Sequence, residues 1–158
     1  GHARPFDFDA GYAPASGVQR FLSGTPGILG MAALDAALEV FEGLTVHELR
    51  EKSIALTQCF IDTVDSAGLP ELDVLTPRNP AKRGSQVSLS HPHGYVVARA
   101  LIDRGVIVDF RAPNNVRFGF SPLYNRFEDI RLACEALADI LEGETYRDPK
   151  YATWQAVT

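Results

Sequence analysis

The amino-acid sequence predicts a small α+β domain: helices packed on one face of a small, mostly antiparallel sheet, preceded by an irregular arm and a long helix. Three observations predict it. Two early segments repeat apolar residues at three- and four-residue spacing, the period of an amphipathic helix. After Pro70 the pattern changes to short runs of strand-forming residues separated by turn residues. A last helical stretch follows these runs, so the order strand, helix, strand, hairpin strand, helix calls for one helical layer on one sheet.

The first 27 residues are irregular, with Gly11, Pro14, Gly17, Gly24, Pro26 and Gly27 interrupting Phe6, Phe8, Tyr12 and Phe21. Such a segment makes no core of its own, and its aromatic residues need another surface to pack on. Ile28, Met31, Leu34, Leu38 and Phe41 then mark an amphipathic helix over about 26–42, stopped by Gly43. Thr25 is placed to cap it, with Pro26 at the first helical position. Thr45 and Glu48 have capping-box spacing and open a second helix, with Val46, Leu49, Ser53, Leu56, Phe60 and Val64 on one face and Gly68 as its stop. Strands are expected at 73–76 and 86–90, where Val87 and Leu89 alternate with polar neighbours, with a polar loop between. A third helix is expected over 95–104, ended by Gly105. Strands follow at 106–109 and 116–120, joined by a turn at Pro113, Asn114 and Asn115. Asn125 is the expected cap of the last helix, with Glu128 completing its box and Phe127, Ile130, Cys134, Leu137 and Leu141 on its apolar face. Residues 143–158 are polar and aperiodic and read as a surface tail.

The 15 basic and 20 acidic residues are interspersed and give a net charge of -5, with no basic run. That pattern argues against nucleic acid or an anionic membrane as partner, leaving a small molecule or another protein. No stretch approaches the roughly 20 apolar residues that span a bilayer, and the first residues have no apolar signal core. Cys59 and Cys134 fall on apolar helix faces, as reduced core residues do, which points to a reducing, cytoplasmic compartment.

Two positions could carry chemistry. Ser23, Gly24, Thr25, Pro26 and Gly27 precede the first long helix, whose unpaired amides and dipole favour a phosphate or carboxylate; an ordinary helix cap is the alternative. Arg117 alternates with Val116 and Phe118, so it faces away from the core, where its planar fork can take a carboxylate by two bonds. A solvated arginine on an exposed sheet face has the same pattern. His91 and His93 have no third ligand at zinc spacing and read as a loop leading into a helix, with no metal. Asp7 and Asp9 share an extended face but show no pocket for acid–base work. Lys52, Lys82 and Lys150 lie in a helix flank, a polar loop and the tail, none desolvated enough to act as a nucleophile.

Read as whole strings, the segments RPFDFD after Gly1 and His2, RFLSGTPGIL (20–29), LREKSIALTQCFI (49–61), RGSQVSLS (83–90), RGVIVDFR (104–111) and VRFGFSPLYNRFEDI (116–130) resemble the C-terminal third of the kynureninase family. These are pyridoxal-phosphate enzymes of the aminotransferase class V fold group, and the resemblance covers about 1–142. An arginine on a strand leading into PLYN and a capped helix is its most specific part.

The resemblance implies the C-terminal small domain of a fold-type I pyridoxal-phosphate enzyme. In that frame 1–27 belong to the large-domain and dimer interface and the active site, 28–66 are linking helices, 67–142 form the small domain and 143–158 the tail. It implies that Thr25, with Gly24, binds the cofactor phosphate across a homodimer interface and that Arg117 binds the substrate's α-carboxylate. It places no catalytic residue in this chain: the Schiff-base lysine, the tyrosine beside it, the aspartate facing the pyridine nitrogen and an active-site tryptophan belong to the preceding part of such a protein. The implied reaction is hydrolysis of L-kynurenine or 3-hydroxykynurenine to an anthranilate and L-alanine, in tryptophan catabolism and NAD biosynthesis, with this piece inactive alone. The alternatives are another class V enzyme, such as a cysteine desulfurase or an aminotransferase, and a binding module that kept the fold without the chemistry.

Overall fold

The computed structural model describes residues 1–7 and 10–153, which cluster into two compact units, Gly1–Leu44 and Thr45–Thr158. Phe8, Asp9 and the last five residues lie outside the described part, and with Asp9 the extended face that Asp7 and Asp9 are expected to share.

In the first unit the chain folds back on itself. His2 bridges Pro14, Ala3 N–H donates to Ala13 C=O at 2.7 Å, and Ala15 N–H donates to Gly1 C=O at 3.0 Å. Helix α1 spans Ile28–Leu38 and tightens into a 3-10 turn, Glu39–Phe41, before Gly43 takes a left-handed φ of 76°. The helix starts later than the sequence suggests. Gly27, extended at ψ 109°, is its cap residue, with no side-chain capping bond, so Thr25 is not the N-cap. The physical reason is that Gly27 has little preference for helical geometry and lets the chain stay extended to Ile28. Nor is α1 amphipathic: Asp35 is its one charged residue, and apolar side chains surround it. The three- and four-residue spacing of its larger residues hid the alanines and leucines between them. Ile28, Leu29, Met31, Leu34 and Leu38 are all more than half exposed, and Ala15 is the one buried residue among those described in this unit.

The second unit contains a closed core. Helix α2, Val46–Ala67, opens with the expected capping box: Thr45 Oγ1 accepts from Glu48 N–H at 3.2 Å, and Glu48 Oε2 accepts from Thr45 N–H at 2.8 Å. Gly68 ends it with φ 57°, a left-handed turn that glycine adopts without a Cβ penalty. Ser53, Leu56, Phe60 and Val64 are buried as predicted, whereas Val46 in the first turn points to solvent. The strands are β1 (Asp73–Val74), β2 (Gln86–Ser90), β3 (Asp109–Arg111) and β4 (Asn115–Gly119), in the order β1-β2-β4-β3 with every neighbouring pair antiparallel. Helix α3, Gly94–Asp103, links β2 to β3, and β4 lies between those two strands, a split βαβ arrangement.

Strand β3 starts three residues later than the spacing predicts, and the cause is the stop of α3. Gly105 at φ 83° donates to Ile102 C=O, and Val106 N–H donates to Leu101 C=O at 2.9 Å. Those two bonds form a Schellman cap that holds Val106 in the helix ending. The turn between β3 and β4, with a cis Ala112–Pro113 peptide, ends before Asn115.

Helix α4, Phe127–Glu142, is likewise capped one residue later than expected. Asp129 Oδ2 accepts from Arg126 N–H at 2.8 Å, while Asn125 Oδ1 accepts from Ser121 N–H at 2.7 Å and closes the preceding turn. Glu128 pairs with Arg131 instead. Helices α2, α3 and α4 cover one face of the sheet. The core joins Phe60 and Ile61 of α2, Val87 and Leu89 of β2, Leu101 of α3, Phe118 of β4 and Ile130 and Leu137 of α4. Phe60 sits at its centre, 4.7 Å from the Phe118 ring and 5.1 Å from Phe120 between centroids. The described part of the segment after Gly143, residues 144–153, is not a free surface arm. Tyr146 and Tyr151 are buried, and Tyr151 Oη and Lys150 Nζ both donate to Asp103 Oδ2 of α3 at 2.8 Å. Two isolated tyrosines carry no periodicity, so this anchoring leaves no pattern in the sequence. No helix among the described residues is long and apolar enough to cross a membrane.

Candidate functional site: a polar sheet face centred on Arg117

Strand alternation fixes where Arg117 points. Val116 and Phe118 are buried under the helices, so the residue between them emerges on the face opposite α2, α3 and α4. In register, Arg117 lies opposite Ser88 on β2 and Asp109 on β3, and Arg111 lies two residues beyond Asp109 on the same face. That face is therefore a polar row across three strands.

Arg117 Nη2 donates to Asp109 Oδ2, and both side chains are about three-quarters shielded from solvent, at 29% and 24% exposure. Arg111 Nη1 lies 3.2 Å from the other oxygen, Asp109 Oδ1. That is close enough for attraction, yet Asp109 Oδ1 is a buried atom with no hydrogen-bond partner among the described residues, because the N–H of Arg111 is not aimed at it. Arg117 Nε is also buried without a partner. The cluster holds two guanidinium groups and one carboxylate, a net positive charge on a half-shielded surface. One N–H of Arg117 engages Asp109, and the fork keeps other donors for an incoming carboxylate.

Thr25 and Gly24 belong to the first unit and Arg117 to the second. Thr25 and Gly24 line a cavity of about 630 Å³ within the first unit, together with Gly1, His2, Ala15 and Gln19. A Cβ added to Gly24 would meet nothing within 4 Å, so there is room beside the backbone for a bound group. The α1 start has no side-chain cap, which leaves its first amide N–H groups to donate to an anion. Thr25 and Gly24 thus fit a phosphate by hydroxyl, backbone and space.

The other candidates do structural work. His91 is buried, its Nδ1 accepts from His93 N–H at 3.1 Å, and both rings pack on Tyr146 at 5.5 Å. Burial pushes the His91 imidazole below its ordinary range, with the neighbouring His93 adding to the effect. His93 is the residue just before α3, as the reading of a lead-in loop requires. Burial pushes the Cys134 thiol up to about 12, so it is no nucleophile at neutral pH. Lys150 is held by Asp103, which raises its pKa, and Lys82 is exposed. A second cavity of about 520 Å³, beside Ile107, Tyr124 and Leu132, has polar groups already used in capping α4.

Reasoning from the sequence found Arg117 but passed over Asp109 and Arg111. A signal existed: the D-x-R spacing puts both on one strand face, and hairpin pairing with 115–119 sets Asp109 opposite Arg117. Placing the third strand at 106–109 left Arg111 outside it and hid the register.

Comparison with known proteins adds to this geometry. Residues 49–137 match the family described as the kynureninase C-terminal domain. A kynureninase of Burkholderia mallei is 49% identical over the whole chain, and one of Pseudomonas fluorescens is 43% identical; the chain spans 38% of the length of each. Among solved structures, the apo cysteine desulfurase of Thermococcus onnurineus NA1 superposes on 84% of the chain with a TM-score of 0.68 and 25% identity, using 36% of its own length. A NifS-like protein superposes on 82% of the chain, with a TM-score of 0.60, 20% identity and 38% of its own length.

Proposed function

We propose, because the chain belongs to the kynureninase C-terminal domain family, that it is the carboxyl-terminal part of an enzyme that hydrolyses L-kynurenine or 3-hydroxykynurenine to an anthranilate and L-alanine. The observation that carries this reading is Arg117, aimed out of the sheet face opposite α2, α3 and α4 with donors to spare for a carboxylate. Within the whole enzyme Arg117 grips the α-carboxylate and thereby fixes how the α-carbon is presented for Cβ–Cγ cleavage, a positioning role. Thr25 and Gly24 hold the phosphate of pyridoxal phosphate in a homodimer. When bound, that cofactor supplies an electron sink for cleavage beside the α-carbon. The lysine that carries it belongs to the rest of the protein, in keeping with the three lysines found here. A cytoplasmic location accords with the two unpaired cysteines.

The likeness to a cysteine desulfurase raises a second reading, and the thiol of Cys134 argues against it. Such chemistry needs a reactive thiolate, whereas Cys134 is buried with its pKa raised to about 12. Arg117→Ala in the complete enzyme is expected to raise KM for kynurenine about 10²-fold, as when one partner of a shielded charge pair is removed, while cofactor absorbance persists. An unchanged KM would remove the basis for the assignment.

A further inference from the structure

We propose that Asp109 is the positioning residue of the carboxylate grip: it holds the Arg117 guanidinium in the orientation that meets substrate. The proposal rests on the reading of Arg117 above and adds a residue to it. An arginine side chain has several rotatable bonds, and a solvated one samples many positions. Arg117 is not left to do so. The register puts Asp109 directly across the β3–β4 ladder, and its Oδ2 accepts from Arg117 Nη2. Arg111, 3.2 Å from Asp109 Oδ1, draws the carboxylate from the other side.

The buried state of the pair sharpens the argument. Arg117 Nε and Asp109 Oδ1 are both shielded and both lack a hydrogen-bond partner among the described residues. A pair built only to stabilise the sheet would be expected to close both bonds of the fork. Here one bond from Nη2 fixes direction and no second bond closes the fork on Asp109, which leaves the terminal Nη1 for an anion.

Two effects of Asp109 oppose each other. Its negative charge weakens attraction of a second carboxylate, while its hold on the fork supplies orientation. Arg111 offsets the first effect, since the cluster remains net positive with Asp109 ionised. Orientation therefore dominates, and misplacing such a group by about 1 Å can cost about 10²-fold in rate.

The test compares L-kynurenine with kynuramine, the amine that lacks its α-carboxylate, as competing ligands of the complete cofactor-loaded enzyme. In Asp109→Ala the preference for the carboxylate-bearing ligand is expected to fall at least tenfold, and kcat/KM by about 10²-fold. Asp109→Ser, too short to reach the guanidinium, is expected to behave alike and serves should the alanine variant not fold. Asp109→Asn keeps an acceptor oxygen and is expected to retain the preference to within about threefold. In an Arg117→Ala background, Asp109→Ala should produce no further loss. The proposal is overturned by a wild-type preference in Asp109→Ala or Asp109→Ser, by an Asp109→Asn enzyme as impaired as the alanine variant, or by full additivity with Arg117→Ala. If Arg117→Ala itself leaves the preference intact, the reading of Arg117 fails; if Arg117→Ala abolishes it and Asp109→Ala does not, only the role of Asp109 fails.

Discussion

The two compact units have similar shares of apolar residues and use them in opposite ways. Between Thr45 and Thr158, Leu56, Phe60, Ile61, Leu89 and Leu101 are fully buried; between Gly1 and Leu44, Ile28, Leu29, Met31, Leu34 and Phe41 stand exposed. A helix apolar on all sides, as α1 is, belongs in an interior. The second unit supplies its own interior through a sheet and three helices. The first has the composition of a buried segment and needs a surface from elsewhere, which supports the proposal that it packs against the rest of a longer protein or its second copy. On the proposed reading, the second unit carries Arg117 on a strand backed by a closed core, and the first carries Gly24 and Thr25 on a segment without one.

The largest effect that would break this comparison is a core deletion. Phe60→Ala is expected to destabilise the second unit by about 3–5 kcal/mol in denaturant unfolding. Leu34→Ala in α1 should change the stability of the chain by less than about 0.5 kcal/mol. Equal costs would mean that α1 has a core of its own. Next in size is the cap that begins the second unit: Thr45→Ala removes the acceptor for Glu48 N–H and is expected to cost about 1 kcal/mol. A thermal midpoint unchanged by Thr45→Ala would show that α2 draws nothing from its first turn.

The smallest effect is a pH dependence confined to the second unit. Burial depresses the His91 pKa in the folded state, so the unfolded chain binds the proton more readily. Stability is complete above the ordinary histidine pKa of 6.5 and declines as pH falls from there towards the depressed folded value. Asp65, lowered by its bond from Arg78, and Asp103, lowered by Lys150 and Tyr151, act the same way in a separate window, below their ordinary value of 3.8. Chemical denaturation at pH 7.5 and 5.5 should show the histidine step alone. A flat profile would mean that His91 can be protonated in the folded state without penalty.

Much of the second unit was legible beforehand. The Thr45–Glu48 box and Gly68 bracket α2, and the alternation of Val87 and Leu89 marks β2 with the bounds seen in the structure. These are local signals, written in consecutive residues and governed by caps and by the two-residue strand period. Where local signals competed, the sequence misled. Asn125 has the residue type of a cap, but the turn at Ser121 claimed it and Arg126 stands at the cap position instead. Val106 and Val108 suit a strand, but the cap of α3 took the first of them.

By itself the sequence determined the fold class, the family and the face on which Arg117 stands, because each follows from periodicity or from strings of neighbouring residues. Only the tertiary structure decided what Arg117 meets there. Asp109 and Arg111 reach it through strand pairing, and pairing register depends on where β3 begins, which α3 sets through its own C-terminal cap. Tyr146 and Tyr151 likewise gain their places from α3 and not from any pattern around them. Contacts between residues distant in sequence depend on how elements dock, and docking is set by the shapes of the buried faces together.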